Sequence, residues 1–194
     1  MIEATSARER VLNIAEELFH ERGYNAVSMR DIAEALEMRQ ASLYYHVPEG
    51  KEQLFVEVTE RGLHRHQDGL AEAIRGAEPR IAAQLKAAGH WFASHMPMKL
   101  LSMLETDMPA ISPENSQKLV FMAYEAMFSP IARLFAAASE RGEVRPIDPN
   151  KLAGHFLSLM DGVSYSVTAG FAVEPIDQLL EDMIDVFLNG IYPR

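Results

Sequence analysis

Apolar residues along this chain recur at intervals of three and four. Proline and glycine cut the recurrence into segments, and no sustained alternation of the kind strands carry appears. In the first segment Val11, Ile14, Ala15, Leu18 and Phe19 share a helical face behind the capping-box pair Ser6 and Glu9, and Gly23 ends it. A second box, Ser28 with Asp31, opens a short helix from Met29 to about Leu36 whose inner face is Met29, Ile32, Ala33 and Leu36. A compact stretch from Gln40 to His46 follows, then the break Pro48-Glu49-Gly50, then a long helical pattern from Lys51 to about Arg75. Downstream, Pro79 predicts a helix to about His95 and Pro97 another to about Glu105. Ser112-Pro113 opens a long helix to Glu140, kinked at Ser129-Pro130, where proline has no N–H to give the preceding turn. Asp148-Pro149 caps a helix to about Ala169, and Glu174-Pro175 starts the last, ending near Gly190. The chain reads as all-α, with about nine helices.

Three parts are expected: a helix-turn-helix unit over 1–50, a connecting helix over 51–75 and a C-terminal helical bundle over 76–194. With 48% apolar residues in 194 the chain has ample core material, and no stretch approaches the roughly 18 unbroken apolar residues of a membrane span. No secretory signal is visible near Met1, so the expected compartment is the cytoplasm and no membrane partner is expected. The absence of cysteine excludes disulfides, thiol nucleophiles and thiolate metal sites. Neither His64-x-His66 nor His90 with His95 has the i, i+4 spacing that puts two imidazoles on one helical side, so no metal and no cofactor is expected.

Net charge is −10, which opposes bulk coating of nucleic acid. Residues 1–50 carry five Arg against nine Asp and Glu, −4 in all. Most of these acids fall on the first helix or the back of the second, which is expected to leave Arg30, Arg39 and Lys51 locally unopposed. Two short helices joined by the three-residue turn Glu37-Met38-Arg39 nevertheless have the spacing that presents a second helix to a DNA major groove. Ala33 is small enough for a close crossing, and Leu36 and Leu43 fill the shared core. The outward set is then Gln40, Ala41, Ser42, Tyr44, Tyr45 and His46, with Arg39 just ahead.

Phe19-His20-Glu21-Arg22-Gly23-Tyr24, Ser28-Met29-Arg30-Asp31-Ile32-Ala33 and Ser42-Leu43-Tyr44-Tyr45-His46-Val47-Pro48-Glu49-Gly50-Lys51 together resemble the N-terminal domain of the tetracycline-repressor (TetR) family over roughly residues 8–55. The resemblance implies that Tyr44, His46 and Lys51 hold phosphates, that Ser28 caps a helix whose amides face a phosphate, and that Gln40, Ala41 and Tyr45 approach bases. Arg39, at the mouth of the recognition helix, is placed to reach a phosphate or a guanine. The chain departs from the family pattern at Glu37-Met38-Arg39, where Gly-Val-Ser is usual, and at Val47, where Phe is usual. A non-glycine residue in this turn is therefore expected to need a positive φ at a cost of about 1 kcal/mol, and Glu37 to bring negative charge near the phosphate path.

Six of the eleven methionines lie between Met96 and Met127, beside Trp91, Phe92, Phe121, Tyr124 and Phe128, and 119–128 is apolar around most of its circumference, as a central helix would be. Such adaptable side chains suit either a cavity for a bulky apolar ligand or an ordinary core, and the resemblance favours a cavity enclosing an effector, apolar or aromatic. The candidate contacts are His90, Trp91, His95, Met103, Met122, Tyr124, Met127, His155 and Tyr165. Gly154, Ser158, Gly162, Ser166 and Gly170 form a ridge of small residues every fourth position. With Leu180, Ile184 and Phe187 of the last helix this ridge is expected to build a four-helix homodimer interface, though intrachain packing would use the same pattern. The functional expectation is a homodimeric, ligand-responsive transcriptional repressor on a double-stranded palindromic operator. The alternative is an all-helical enzyme or carrier for an apolar small molecule, with His90, His95 or His155 as acid or base, although no nucleophile–base–orienter set has a readable spacing.

Overall fold

The computed structural model describes residues 7–95 and 103–193. Nine α-helical segments run through them, and no strand occurs among the described residues. These are α1 (Ala7–Ala26), α2 (Met29–Ala35), α3 (Gln40–His46), α4 (Lys51–Gly76), α5 (Ile81–Ser94), α6 (Pro113–Ala123), α7 (Ser129–Glu140), α8 (Pro149–Thr168) and α9 (Ile176–Ile191). The Ser6 cap and most of the helix expected from Pro97 lie outside the described residues. Where the description resumes, Met103–Asp107 is a π-helical turn and Met108–Ala110 a 3₁₀ turn.

Local chemistry accounts for most boundaries. α1 breaks at Gly23, whose φ of 76° and ψ of 168° belong to a region that only glycine enters cheaply. Ser28 and Asp31 form the reciprocal box at the start of α2: the Ser28 hydroxyl accepts from Asp31 N at 3.2 Å and an Asp31 carboxylate oxygen accepts from Ser28 N at 2.7 Å. Asp148 caps α8 by accepting from Asn150 N at 2.9 Å. α5 begins two residues later than Pro79 suggests, because Arg80 is extended and the Ile81 N–H donates to the Glu143 carboxylate at 2.7 Å. α6 and α7 are one helical rod, Pro113–Glu140, interrupted by a π turn at Tyr124–Phe128. The irregularity falls one turn ahead of Pro130. Ser129 N–H reaches back five residues to Tyr124 O, widening the backbone where a proline ring would otherwise crowd the preceding turn.

The helices fall into two units. One takes the described parts of Met1–Leu63 and Met98–Met122, and the other those of His64–Pro97 and Ala123–Arg194. The first is built on Val11, Ala15, Phe19, Ile32, Ala33, Leu36, Leu43, Leu54 and Leu119, all buried. The second packs α7 on α8 and α5 on α9 around Leu85, Phe135, Phe156, Leu180, Ile184 and Leu188. Gly89 permits the α5–α9 approach: a Cβ there would stand 3.0 Å from Ile184 Cδ1. The rod Pro113–Glu140 is long and apolar enough to cross a membrane, but half of its most apolar window is buried, as in a core helix. The stretch 119–128, expected to be central, is enclosed on one face only. Leu119, Ala123, Ala126 and Met127 are buried, whereas Val120, Phe121 and Tyr124 face outward.

Candidate nucleic-acid interface

α2 ends in a tight reversal. Met38 N donates to Ala33 O at 2.9 Å and Glu37 N to Glu34 O at 3.0 Å, the pattern of a helix closed by a left-handed residue. That residue is Glu37, with φ of 54°, a position that glycine occupies without strain. The chain then turns extended at Arg39, whose carbonyl accepts from Ser42 N and Leu43 N to start α3.

Within α3, Leu43 is completely buried and fixes the rotation of the helix. Arg39, Gln40, Ala41 and Ser42 are exposed as a consequence, Tyr44 is 42% exposed and Tyr45 86%. His46 is half-buried, its ring edge-on to Tyr45 at 5.5 Å. The residues expected to face DNA from α3 thus spread around most of the circumference of a short helix that Leu43 anchors from behind. Past Val47, Gly50 takes a φ of 84° and is buried, and α4 starts at once with Lys51.

Lys51 and Arg30 are not unopposed. Arg30 Nε is paired with Glu34 at 2.7 Å across one turn of α2, because an i, i+4 spacing puts the two side chains on one face. Lys51 Nζ lies 3.9 Å from the centre of the Tyr24 ring. Burial pushes its ammonium below the ordinary lysine value, and the Asp107 carboxylate acts against that shift. Tyr24 packs edge-on to Phe55 at 4.9 Å and stacks on Phe19 at 6.1 Å. Burial pushes its hydroxyl up, with the Glu52 charge adding to it. Ser28 caps α2 as expected, with its hydroxyl and its N–H both engaged by Asp31.

Two carboxylates that sequence reasoning missed tie distant segments to this module. Asp107, buried, accepts from Tyr24 N at 2.9 Å, and Asn25 Nδ2 donates to the neighbouring Thr106 carbonyl at 3.3 Å. Glu52 accepts from Ser112 N at 3.0 Å and from Asn115 Nδ2 at 2.7 Å, which holds its carboxyl below the usual range. No local signal could have found these pairs, because 83 residues separate Tyr24 from Asp107.

The nine residues expected around an effector divide between the two units. Met103 and Met122 belong to the first unit and the others to the second. His155 and Tyr165 are exposed on α8, Tyr124 is largely exposed and stacks on Phe128 at 5.1 Å, and His90 meets Asp177 at 3.3 Å on an open surface. Trp91 and His95 stack on each other, and Met127 is buried. The Trp91 ring lies on Gly69, and His66, which is buried, meets Trp91 edge-on at 6.4 Å and Phe92 face to face at 6.1 Å. His66 figured in the sequence only as a partner of His64, because its burial depends on the facing of α4 toward α5.

The expected dimer set needs correction. Leu180 and Ile184 are each 1% exposed and point at Gly89 of the same chain, so these two belong to the chain's own core, while the half-buried Phe187 packs on Phe135 and Phe156. The small ridge lies differently. Gly154 faces Phe128, but a Cβ on Gly162 would meet nothing within 4 Å, Ser158 is exposed, and Ser166 donates its hydroxyl to Gly162 O at 2.9 Å.

Residues 11–58 match the family described as bacterial regulatory proteins, tetR family. Over 51 residues the chain is 41% identical to the HTH-type transcriptional regulator LmrA of Bacillus subtilis (strain 168); this stretch is 26% of the chain and 27% of LmrA, so only about a quarter of that relative is spanned. A bacterial regulatory protein in the tetR family from Rhodococcus RHA1 has a TM-score of 0.78 at 20% identity, covering 98% of this chain and 100% of its own. AibR, solved with isovaleryl coenzyme A and operator DNA, has a TM-score of 0.73 at 22% identity, covering 97% of this chain and 99% of its own. At these identities the likeness is one of fold. Residues 11–58 thus carry the sequence module of the tetR family of bacterial regulatory proteins, and the described helices share the fold of these solved structures.

Proposed function

We propose that this protein is a transcriptional repressor that binds a palindromic double-stranded operator as a homodimer and is released by a small apolar or aromatic effector taken up in the C-terminal unit, in the cytoplasm. The observation that carries the reading is the recognition helix. Leu43 is buried while Gln40, Ala41, Ser42, Tyr44 and Tyr45 stand in solvent, an arrangement that packing alone does not require. Gln40, Ala41 and Tyr45 read bases; Tyr44, His46, Lys51 and the α2 start at Ser28 hold phosphates; Arg39 supplies the exposed cation at the helix mouth. Two such helices must lie about 34–36 Å apart to enter successive major grooves, which calls for a symmetric pair of chains.

The exposed apolar side chains Leu159 and Tyr165 of α8, Phe171 and Val173 of the connection after it and Val186 of α9, together with the open Gly162, support a homodimer face built from these elements. The aromatic group of His66, Trp91, Phe92 and His95 supports effector contact in the second unit, where the buried Trp91 Nε1–H has no hydrogen-bond partner among the described residues. AibR's crystallisation with both a coenzyme A thioester and operator DNA is in keeping with this reading.

The test is fluorescence anisotropy of the full chain with duplexes it selects from a randomised pool. Binding at low salt, falling steeply as salt rises, is expected. Tyr44→Phe is expected to weaken all duplexes alike and Gln40→Ala to relax base preference. Failure of the wild-type chain to retain any duplex at low salt overturns the proposal.

A further inference from the structure

Asp107 is a buried carboxylate on a short non-α segment, yet it is spent on the backbone of a remote corner of the helix-turn-helix module. Its Oδ1 accepts the Tyr24 N–H at 2.9 Å, and a Cβ on Gly23 would stand 3.2 Å from the same oxygen. The contact is reinforced next door by Asn25 Nδ2 on the Thr106 carbonyl. Tyr24 in turn is the platform for Lys51, whose ammonium lies 3.9 Å from the ring centre at the start of α4, one residue after the turn that ends the recognition-helix segment. A free lysine side chain loses much rotamer freedom when it meets a phosphate; one already laid over an aromatic face loses less.

We propose that Asp107 is a positioning residue for DNA binding: by holding the Tyr24 backbone it fixes the ring on which Lys51 is laid out for phosphate contact. This rests on the DNA-binding reading above. Asp107 touches no nucleic acid itself and acts through Tyr24.

The experiment measures affinity against salt for the full chain on a duplex that the wild type has selected. Lys51→Met is expected to reduce the slope of log K on log salt by about 0.9, one phosphate contact. Asp107→Ala is expected to weaken binding about tenfold with the same loss of slope, and the double variant to lose no more than Lys51→Met alone. Asp107→Asn keeps an Oδ1 acceptor for the Tyr24 N–H and is expected to stay within about threefold of wild type. Where the alanine variant does not fold, Asp107→Ser, too short to reach that N–H, takes its place. Additive losses, or weakened binding with an unchanged slope, would make Asp107 merely structural and overturn the proposal; so would wild-type binding by Asp107→Ala. A wild type that selects no duplex fails at the earlier step, the DNA-binding reading itself.

Discussion

The Glu52 carboxylate, in the first turn of α4, accepts the backbone N–H of Ser112 at 3.0 Å, so a side chain of one helix caps the start of another 60 residues away. Hydrogen bonds from Ser112 and Asn115 favour the charged carboxylate and hold its pKa below the ordinary 4.5. A depressed folded-state pKa stabilises fully above the unfolded value and loses that stabilisation as pH falls through the folded one. Glu52→Ala is therefore expected to lower stability at pH 7 by about 1 kcal/mol, the size of a lost cap. The gap between variant and wild-type melting temperatures should close as pH falls below about 4.5. A gap that does not change between pH 7 and pH 3 would contradict this account.

Gly23 occupies a backbone region closed to other residues and leaves Asp107 just enough room. Gly23→Ala is expected to cost about 1–3 kcal/mol, since a Cβ adds backbone strain and intrudes on the Tyr24–Asp107 contact. Chemical denaturation would show this, and DNA affinity should fall with it.

Glu37 sits at φ 54° where a glycine would be relaxed. Glu37→Gly is expected to raise stability by about 0.5–1 kcal/mol, although glycine's freer unfolded chain offsets part of the gain. Loss of the negative charge near the phosphates should tighten DNA binding most at low salt. Weaker binding by a correctly folded variant would show that Glu37 has some other role.

Tyr45 and Leu43 are two positions apart on α3 and opposite in kind, 86% and 0% exposed. Tyr45→Ala should leave the denaturation midpoint within about 0.5 kcal/mol of wild type while reducing DNA affinity. Leu43→Ala should cost about 2–5 kcal/mol and reduce binding only through loss of the fold.

In the second unit the corresponding contrast lies between Ile184, inside the protomer, and Gly162, open to solvent. Ile184→Ala is expected to destabilise the chain by about 2–5 kcal/mol without changing its oligomeric state at temperatures where it is folded. Gly162→Arg is expected to shift sedimentation from dimer to monomer. The opposite pattern would return the homodimer face to the inner side of α9.

Much of this protein was legible from local chemistry. Capping boxes, prolines in first turns and the apolar period located most of the described helices within a residue or two, the one expected from Pro97 lying largely outside the described residues, and the burial of Leu43 on a seven-residue helix settled which side of α3 faces inward. The strain at Glu37 was foreshadowed by the resemblance alone, because the family usually has a glycine where Glu37 stands.

What the periodicity could not say is which partner an apolar stripe meets. Leu180 and Ile184 form as good a stripe for a neighbouring chain as for α5, and only the closeness allowed by Gly89 resolves the choice. Likewise nothing near Tyr24 announces Asp107, and nothing near Ser112 announces Glu52, because these bonds join segments brought together by folding alone. Short-range hydrogen bonding and side-chain spacing are written along the chain, so the helices and the exposed surface of α3 could be read there. Long-range pairing depends on how helices face one another, so the anchoring of that surface and the inward turn of α9 were decided only in three dimensions.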